Sequence, residues 1–139
     1  MSIERTFAII KPNAVLAGRV GQILSEIERA ALTLRGMRLA RLTPEICKEF
    51  YQEHVGKAFY PTLESFMVEG PVVLLCLEGD NAIVRWRDIM GATDPAKAAE
   101  GTLRARFGES ITRNATHGSD SPASAQRELG FFFGAYDLV

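Results

Sequence analysis

Cysteine, histidine and tryptophan are scarce in this 139-residue chain: two Cys, two His and one Trp. Two thiols, Cys47 and Cys76, cannot build a disulfide framework. With only His54 and His117, and no CxxC or HExxH spacing, no zinc site is expected. Long hydrophobic runs are missing too. The longest aliphatic run, Val72 to Leu77, falls far short of the roughly 20 residues that span a bilayer. The opening residues, Met1-Ser2-Ile3-Glu4-Arg5, carry no secretory h-region, so a soluble cytoplasmic protein without a membrane partner is expected. Neither sign of charge dominates. Lys and Arg number 16 against 17 Asp and Glu, and a net charge of −1 argues against dedicated nucleic-acid binding.

What remains is an ordinary globular balance of 47% hydrophobic and 24% charged residues. The length suits one domain, residues 1–139, with no internal repeat. Thr6 to Ile10 reads as a buried strand closed by Lys11-Pro12. Val20, Ile23, Leu24, Ile27 and Ala30 recur at helical spacing. Leu34 to Leu42 predicts a strand, and Thr43-Pro44 opens a helix that Gly56 ends. Tyr60 to Val68 predicts a second short helix. Val72 to Leu77, apolar on both faces, predicts a central strand. Gly79-Asp80 then turns the chain, with Asp80 capping a helix that carries Ile83, Trp86, Ile89 and Met90. Gly91 to Arg113 reads as one long irregular segment, of the kind that often carries function. Asn114 to His117 predicts a last short strand, and Ser121-Pro122 opens a final helix. Strands alternating with helices in this order suggest an α+β, ferredoxin-like βαββαβ sandwich: an antiparallel four-stranded sheet with helices packed on it.

Polar chemistry concentrates in Asn114-Ala115-Thr116-His117-Gly118-Ser119-Asp120-Ser121. His117 ends a strand, and Gly118 leaves room for a ligand or backbone to approach closely. A neutral imidazole can serve as nucleophile or base. Glu128 lies about two helical turns beyond Ser121, within reach of that ring. The same spacing fits an ordinary surface histidine beside a Ser-Pro helix start equally well. Lys11, Arg87, Arg104 and Arg113 are candidate phosphate-binding cations, whereas Arg85 and Arg106 read as a solvated face. No G-x-x-x-x-G-K-[ST] loop is present, so a phosphate site must be built from side chains and helix ends. Phe59 fits either the core or a base-stacking role, and His54 is similarly open.

These residues carry a resemblance. Asn114-Ala115-Thr116-His117-Gly118-Ser119-Asp120-Ser121 is similar to N-x-x-H-G-S-D-S, the active-site signature of nucleoside diphosphate kinases. Glu4 to Pro12, Phe66-Met67 with Gly70-Pro71-Val72-Val73, and Leu77-Glu78-Gly79 fall in the same family's order. So do Arg87, Gly91-Ala92-Thr93-Asp94-Pro95 and Gly101-Thr102-Leu103-Arg104. The resemblance covers the chain from about Glu4 to Phe133.

The resemblance implies a kinase that passes the γ-phosphate of a nucleoside triphosphate, typically ATP, to a nucleoside diphosphate. It implies ping-pong kinetics through a phosphohistidine at His117. Glu128 and Ser119 would orient that ring. Lys11, Tyr51 and Asn114 would act around the ribose hydroxyls and the transferring phosphate. Arg87, Thr93, Arg104 and His54 would hold phosphates. Phe59 would stack on the base, with Ile111 opposite. Mg2+ would be carried by the nucleotide phosphates, with Asp120 at most a water-mediated helper. A homo-oligomer is implied, a hexamer in preference to a tetramer.

The chain departs from the family pattern at several positions. Ala31-Leu32 stands where the family often has Gly followed by Phe or Leu, and Ala58 where many members have Pro. Loss of a C-cap glycine is expected to cost some stability, and loss of the proline to loosen the lid helices. Asn13 replaces a common Asp. None of these touches a mapped site position. Gly134 to Val139 matches no part of the family pattern, an end that often contributes to assembly.

Overall fold

The computed structural model describes residues 3–139. Four antiparallel strands lie in the order β2-β3-β1-β4: β1 is Ile3–Ile10, β2 Thr33–Ala40, β3 Val72–Asp80 and β4 Thr116–Gly118. The helices are α1 Pro12–Leu16, α2 Val20–Arg29, α3 Pro44–Phe50, α4 Tyr60–Met67, α5 Ala82–Met90, α6 Leu103–Phe107 and α7 Pro122–Phe132. Strand order and antiparallel pairing are those of the expected ferredoxin-like α+β sandwich, with α3 and α4 inserted between β2 and β3.

The two inner strands explain the two-sided core. Successive residues of a strand face opposite ways. Phe7 and Ile9 of β1, with Leu74 and Cys76 of β3, meet Cys47, Phe50, Met67 and Leu129 on one face. Ala8, Ile10, Val73 and Leu75 meet Ile23, Ile27, Trp86 and Met90 on the other. Strands covered on both faces need apolar residues at nearly every position, which is why Phe7–Ile10 and Val72–Leu77 are unbroken.

Several boundaries differ from the sequence reading. β1 begins at Ile3, ahead of the apolar run, because Ile3, Glu4 and Arg5 pair with Asp80, Gly79 and Glu78 of β3. Pro12–Leu16 forms a short helix, with Pro12 at a first-turn position that needs no N–H. α3 stops at Phe50 and turns fill the stretch to Phe59, so Gly56 does not end it. β3 runs through Asp80 and does not turn at Gly79. Gly79 is there for packing: a Cβ would sit 2.9 Å from Leu32 Cδ2. Helix α5 follows Asn81, which takes the N-cap position expected of Asp80 and lies in the left-handed region, and the Glu4 carboxylate accepts the Ile83 N–H at 2.9 Å. The segment read as irregular contains α6, capped by Thr102.

Two arginines read as solvated surface have structural partners. Arg85 donates to the Ala30 and Asp80 carbonyls and staples the α2–β2 turn to the end of β3. Arg106 pairs with Glu26 at 3.5 Å and lies 4.7 Å over the Phe107 ring. The C-terminal residues, unmatched in sequence, pack back on β2. Val139 N–H donates to the Arg35 carbonyl at 2.9 Å, and a Cβ at Gly36 would lie 2.7 Å from Leu138 Cδ2. That contact sits at the register shift between Leu34 and Gly36. Ala31, read as a missing glycine, adopts φ +61° after α2, and Leu32 N–H bonds back to the Ile27 carbonyl. The left-handed helix end is therefore kept, without the residue that makes it easy.

Candidate active site

β4 adds only three residues to the sheet edge, yet it carries His117. Ile9 faces His117 in the register, and Ser119 N–H continues the pairing by donating to the Phe7 carbonyl at 3.1 Å. The Trp86 indole N–H donates to the His117 carbonyl at 3.1 Å. A Cβ on Gly118 would meet Trp86 Cδ1 at 2.6 Å. The sequence reading gave Gly118 to the close approach of a ligand or backbone. The group that comes close is the indole, a side chain from behind the strand.

The imidazole is oriented from α7. Ser121 and Ser124 form a reciprocal capping box that starts this helix. Two turns on, Glu128 Oε1 lies 2.9 Å from His117 Nε2 and accepts the Ser119 hydroxyl at 2.8 Å. A carboxylate oxygen only accepts, so the ring proton sits on Nε2 and Nδ1 keeps its lone pair. Burial holds the His117 pKa below its ordinary value, against the opposing pull of Glu128. Lys11 and Arg104 push in the same direction as burial. The ring is thus neutral at neutral pH. Phe50 meets it edge-on at 5.4 Å between centroids.

The cations lie around this ring. Lys11 directly follows β1; its backbone N–H bonds the Ala115 carbonyl, and its Nζ donates to Asn114 Oδ1 at 2.8 Å. Burial, reinforced by Arg104, brings the Lys11 pKa down to about 7. Asn114 Nδ2 in turn donates to the Thr93 carbonyl at 3.1 Å. Ala115, next in the chain, is held at φ +76°, strain stored two residues from His117. Arg104 donates to the carbonyls of Gly91 and Thr116 and leaves its buried Nε without a partner. Burial lowers its pKa to about 10. Arg87 reaches the Gly118 carbonyl at 3.4 Å. The Ser124 hydroxyl, above all, holds the Asp120 carboxyl below its usual range, with Arg87 contributing.

A cleft of about 550 Å³ opens on this arrangement. Of the residues singled out in sequence, His117, Glu128, Tyr51, His54, Arg87, Thr93 and Arg104 line it. Ser119, Lys11 and Asn114 are buried behind it and support it. Phe59 and Ile111 do not line it; they stand outside, 50% and 60% exposed. Among the described residues the buried Tyr51 hydroxyl and His54 Nδ1 have no hydrogen-bond partner. Orphaned polar atoms in a cleft ringed by cations fit a polar, anionic guest. Burial pushes the Tyr51 phenol pKa upward, so it stays protonated and able to donate.

Sequence reasoning missed Trp86 and Phe50 as supports of His117. It also passed over Arg127, which lines the cleft and caps the end of α3 through the Glu49 and Phe50 carbonyls. No local signal marks any of the three, since each acts through a partner distant in the chain.

The profile of the nucleoside diphosphate kinase family matches residues 4–138, including most of the C-terminal stretch left unmatched in sequence. The nucleoside diphosphate kinase of Bdellovibrio bacteriovorus is 49% identical over 138 residues, 99% of this chain and 98% of that protein. The solved nucleoside diphosphate kinase of Aquifex aeolicus superposes with a TM-score of 0.96 at 41% identity, covering 99% of this chain and 100% of that one. That of Halobacterium salinarum, solved in complex with CDP, has a TM-score of 0.96 at 38% identity, with 99% and 92% covered. With the histidine–carboxylate pair, the encircling cations and these likenesses in agreement, the chain belongs to the nucleoside diphosphate kinase family.

Proposed function

We propose that the chain exchanges phosphate between nucleoside tri- and diphosphates, with His117 Nδ1 as the nucleophile. The observation that carries this reading is the Glu128–His117–Ser119 arrangement, which protonates Nε2 and leaves Nδ1 free beside a cationic cleft. In the first half-reaction the Nδ1 lone pair forms a bond to the γ-phosphorus, and the bond to the β–γ bridging oxygen breaks. The nucleoside diphosphate leaves with that electron pair. In the second, a terminal β-phosphate oxygen of the acceptor attacks the same phosphorus and the P–N bond breaks, restoring the ring. Nε2 keeps its proton throughout. Glu128 offsets the positive charge the ring gains on phosphorylation.

Arg87, Arg104, Thr93 and His54 hold the phosphates in this reading. Lys11, Tyr51 and Asn114 serve the ribose hydroxyls and the transferring group. Phe59 and Ile111 enclose the base; every base has a π-face, so stacking tolerates many nucleotides. That the Halobacterium salinarum relative was solved with CDP supports nucleotide as the guest. Mg2+ arrives on the substrate phosphates, and Asp120, held ionised at the cleft, meets it through water.

The same reading makes the protein a cytoplasmic homo-oligomer, with a hexamer preferred. Cys47 and Cys76 are free thiols, which suits a reducing compartment. Edge strand β2 exposes Met37 and Leu39, an apolar surface that a second copy would cover. Among the described residues no helix is long and apolar enough to cross a membrane.

The test is incubation with γ-labelled ATP in the absence of acceptor, followed by a chase with GDP. Acid-labile, base-stable label that moves to GDP is expected. His117→Ala is expected to abolish labelling while nucleotide still binds. Label that persists in this variant would assign the nucleophile elsewhere.

A further inference from the structure

A second groove, of about 480 Å³, runs along α4 outside the catalytic cleft. One wall is a face of α4 that includes Pro61, Thr62 and Phe66; the other is the loop that carries Ser110 and Thr112. Phe59 immediately precedes α4, and Ile111 sits in the facing loop. Neither lines the groove, but each is carried by an element that forms one of its walls, so the spacing of those walls bears on the spacing of the two exposed apolar groups assigned to the base.

Arg113 joins those walls. Its carbonyl accepts the Glu109 N–H at 2.7 Å and the Ser110 N–H at 3.3 Å, closing the loop on itself. Asn13 Nδ2 donates to the same carbonyl at 3.2 Å and to that of Phe107 at 3.4 Å, so the loop is also held from α1. The Arg113 side chain then crosses the groove. Nη1 donates to Glu69 Oε1 at 2.9 Å, just past α4, and Cζ lies 4.8 Å over the Phe66 ring within it. Nε reaches Glu109 at 3.4 Å on its own side. One guanidinium thus touches helix, aromatic ring and loop at once, and its planar fork suits that use better than an ammonium. Among the described residues, the Arg113 side chain makes no hydrogen bond or ion pair with the groups around His117.

We propose that Arg113 is a positioning residue that fixes the spacing of the α4 and 109–113 walls, and so sets how firmly the base of a bound nucleotide is held between Phe59 and Ile111. The proposal rests on the nucleotide reading above and adds the element that governs its base slot. Because Arg113 and Glu69 are each 37% exposed, the pair is open to salt.

The experiment compares equilibrium binding of ADP with that of ribose 5-diphosphate, which keeps phosphates and ribose but has no base. The full chain, Arg113→Gln, Glu69→Gln and the double variant are measured by calorimetry at low and high ionic strength. Arg113→Gln is expected to weaken ADP roughly three- to tenfold and to leave ribose 5-diphosphate unchanged. Glu69→Gln is expected to do the same more mildly, and the double variant no more than Arg113→Gln alone. The difference between the two ligands in the unsubstituted protein is expected to shrink at high salt. Equal losses for both ligands would overturn the proposal, as would no loss for either, or additive losses in the double variant. Binding needs no turnover. An unsubstituted protein that discriminates the two ligands but forms no phosphohistidine would count against the transfer reaction and leave the role of Arg113 standing.

Discussion

Glu128 Oε1 stands 2.9 Å from His117 Nε2, and that single oxygen also takes the Ser119 hydroxyl at 2.8 Å. The carboxylate thereby fixes which ring nitrogen is protonated and where the ring points. Glu128→Gln offers an amide in its place, and the ring loses a charged partner for its phosphorylated state. Single-turnover phosphohistidine formation is expected to slow by about 10²-fold, with ADP affinity little changed. A rate within about twofold of the parent's would show that the ring needs no carboxylate.

Lys11 gives a pH signature. Its ordinary value of 10.5 falls to about 7 in the folded protein, chiefly through burial. Between those values the unfolded chain holds more protons than the folded one. The burial penalty therefore fades as pH rises through that window and is fully present below it. Nucleotide phosphates favour the charged form. Binding of ADP at pH 8 is expected to take up close to one proton, and far less at pH 6. Calorimetry in buffers of different ionisation enthalpy reads that number. Uptake that survives in Lys11→Arg would move the proton to another group.

Phe59 is half exposed and touches only the His54 ring among the aromatic contacts seen, at 5.5 Å. Its removal is expected to leave thermal stability within about 0.5 kcal/mol. Phe59→Ala is expected to weaken ADP by about 1–3 kcal/mol through lost stacking. A fall in melting temperature with unchanged affinity would return Phe59 to a packing role.

These residues show what the sequence could and could not disclose. β3 was legible because a strand covered on both faces has to be apolar throughout, and Val72–Leu77 is. α7 was legible from its Ser-Pro start, and Glu128 from its helical offset. The N-terminal residues of β1 were hidden, because Glu4 and Arg5 earn their places by pairing with Gly79 and Glu78, distant in sequence. Helix α6 was hidden in a short stretch rich in arginine, whose Arg104 is buried to hold two carbonyls. The motif located His117, but Trp86 and Phe50 hold it through contacts that no spacing rule predicts.

Ala31 offers a stability test away from the cleft. At φ +61° an alanine carries a steric cost that glycine does not. Glycine loses part of that gain to its greater freedom when unfolded. Ala31→Gly is expected to stabilise the fold by about 0.5–1 kcal/mol net. Chemical denaturation with an unchanged m-value would read it. A loss of stability would mean that the Ala31 methyl contributes more by packing than its backbone costs.

The ties around His117 span almost the whole chain: Ser119 to Phe7, and Lys11 to Asn114. A nascent polypeptide that has not yet delivered its C-terminal third has neither His117 nor the carboxylate of Glu128 that orients it. One that has lost residues 3–11 lacks the lysine and the ledge on which β4 rests. A form that lacks either end therefore lacks part of the constellation around His117. Completion of the fold is thus what brings the two ends of the chain together at the site.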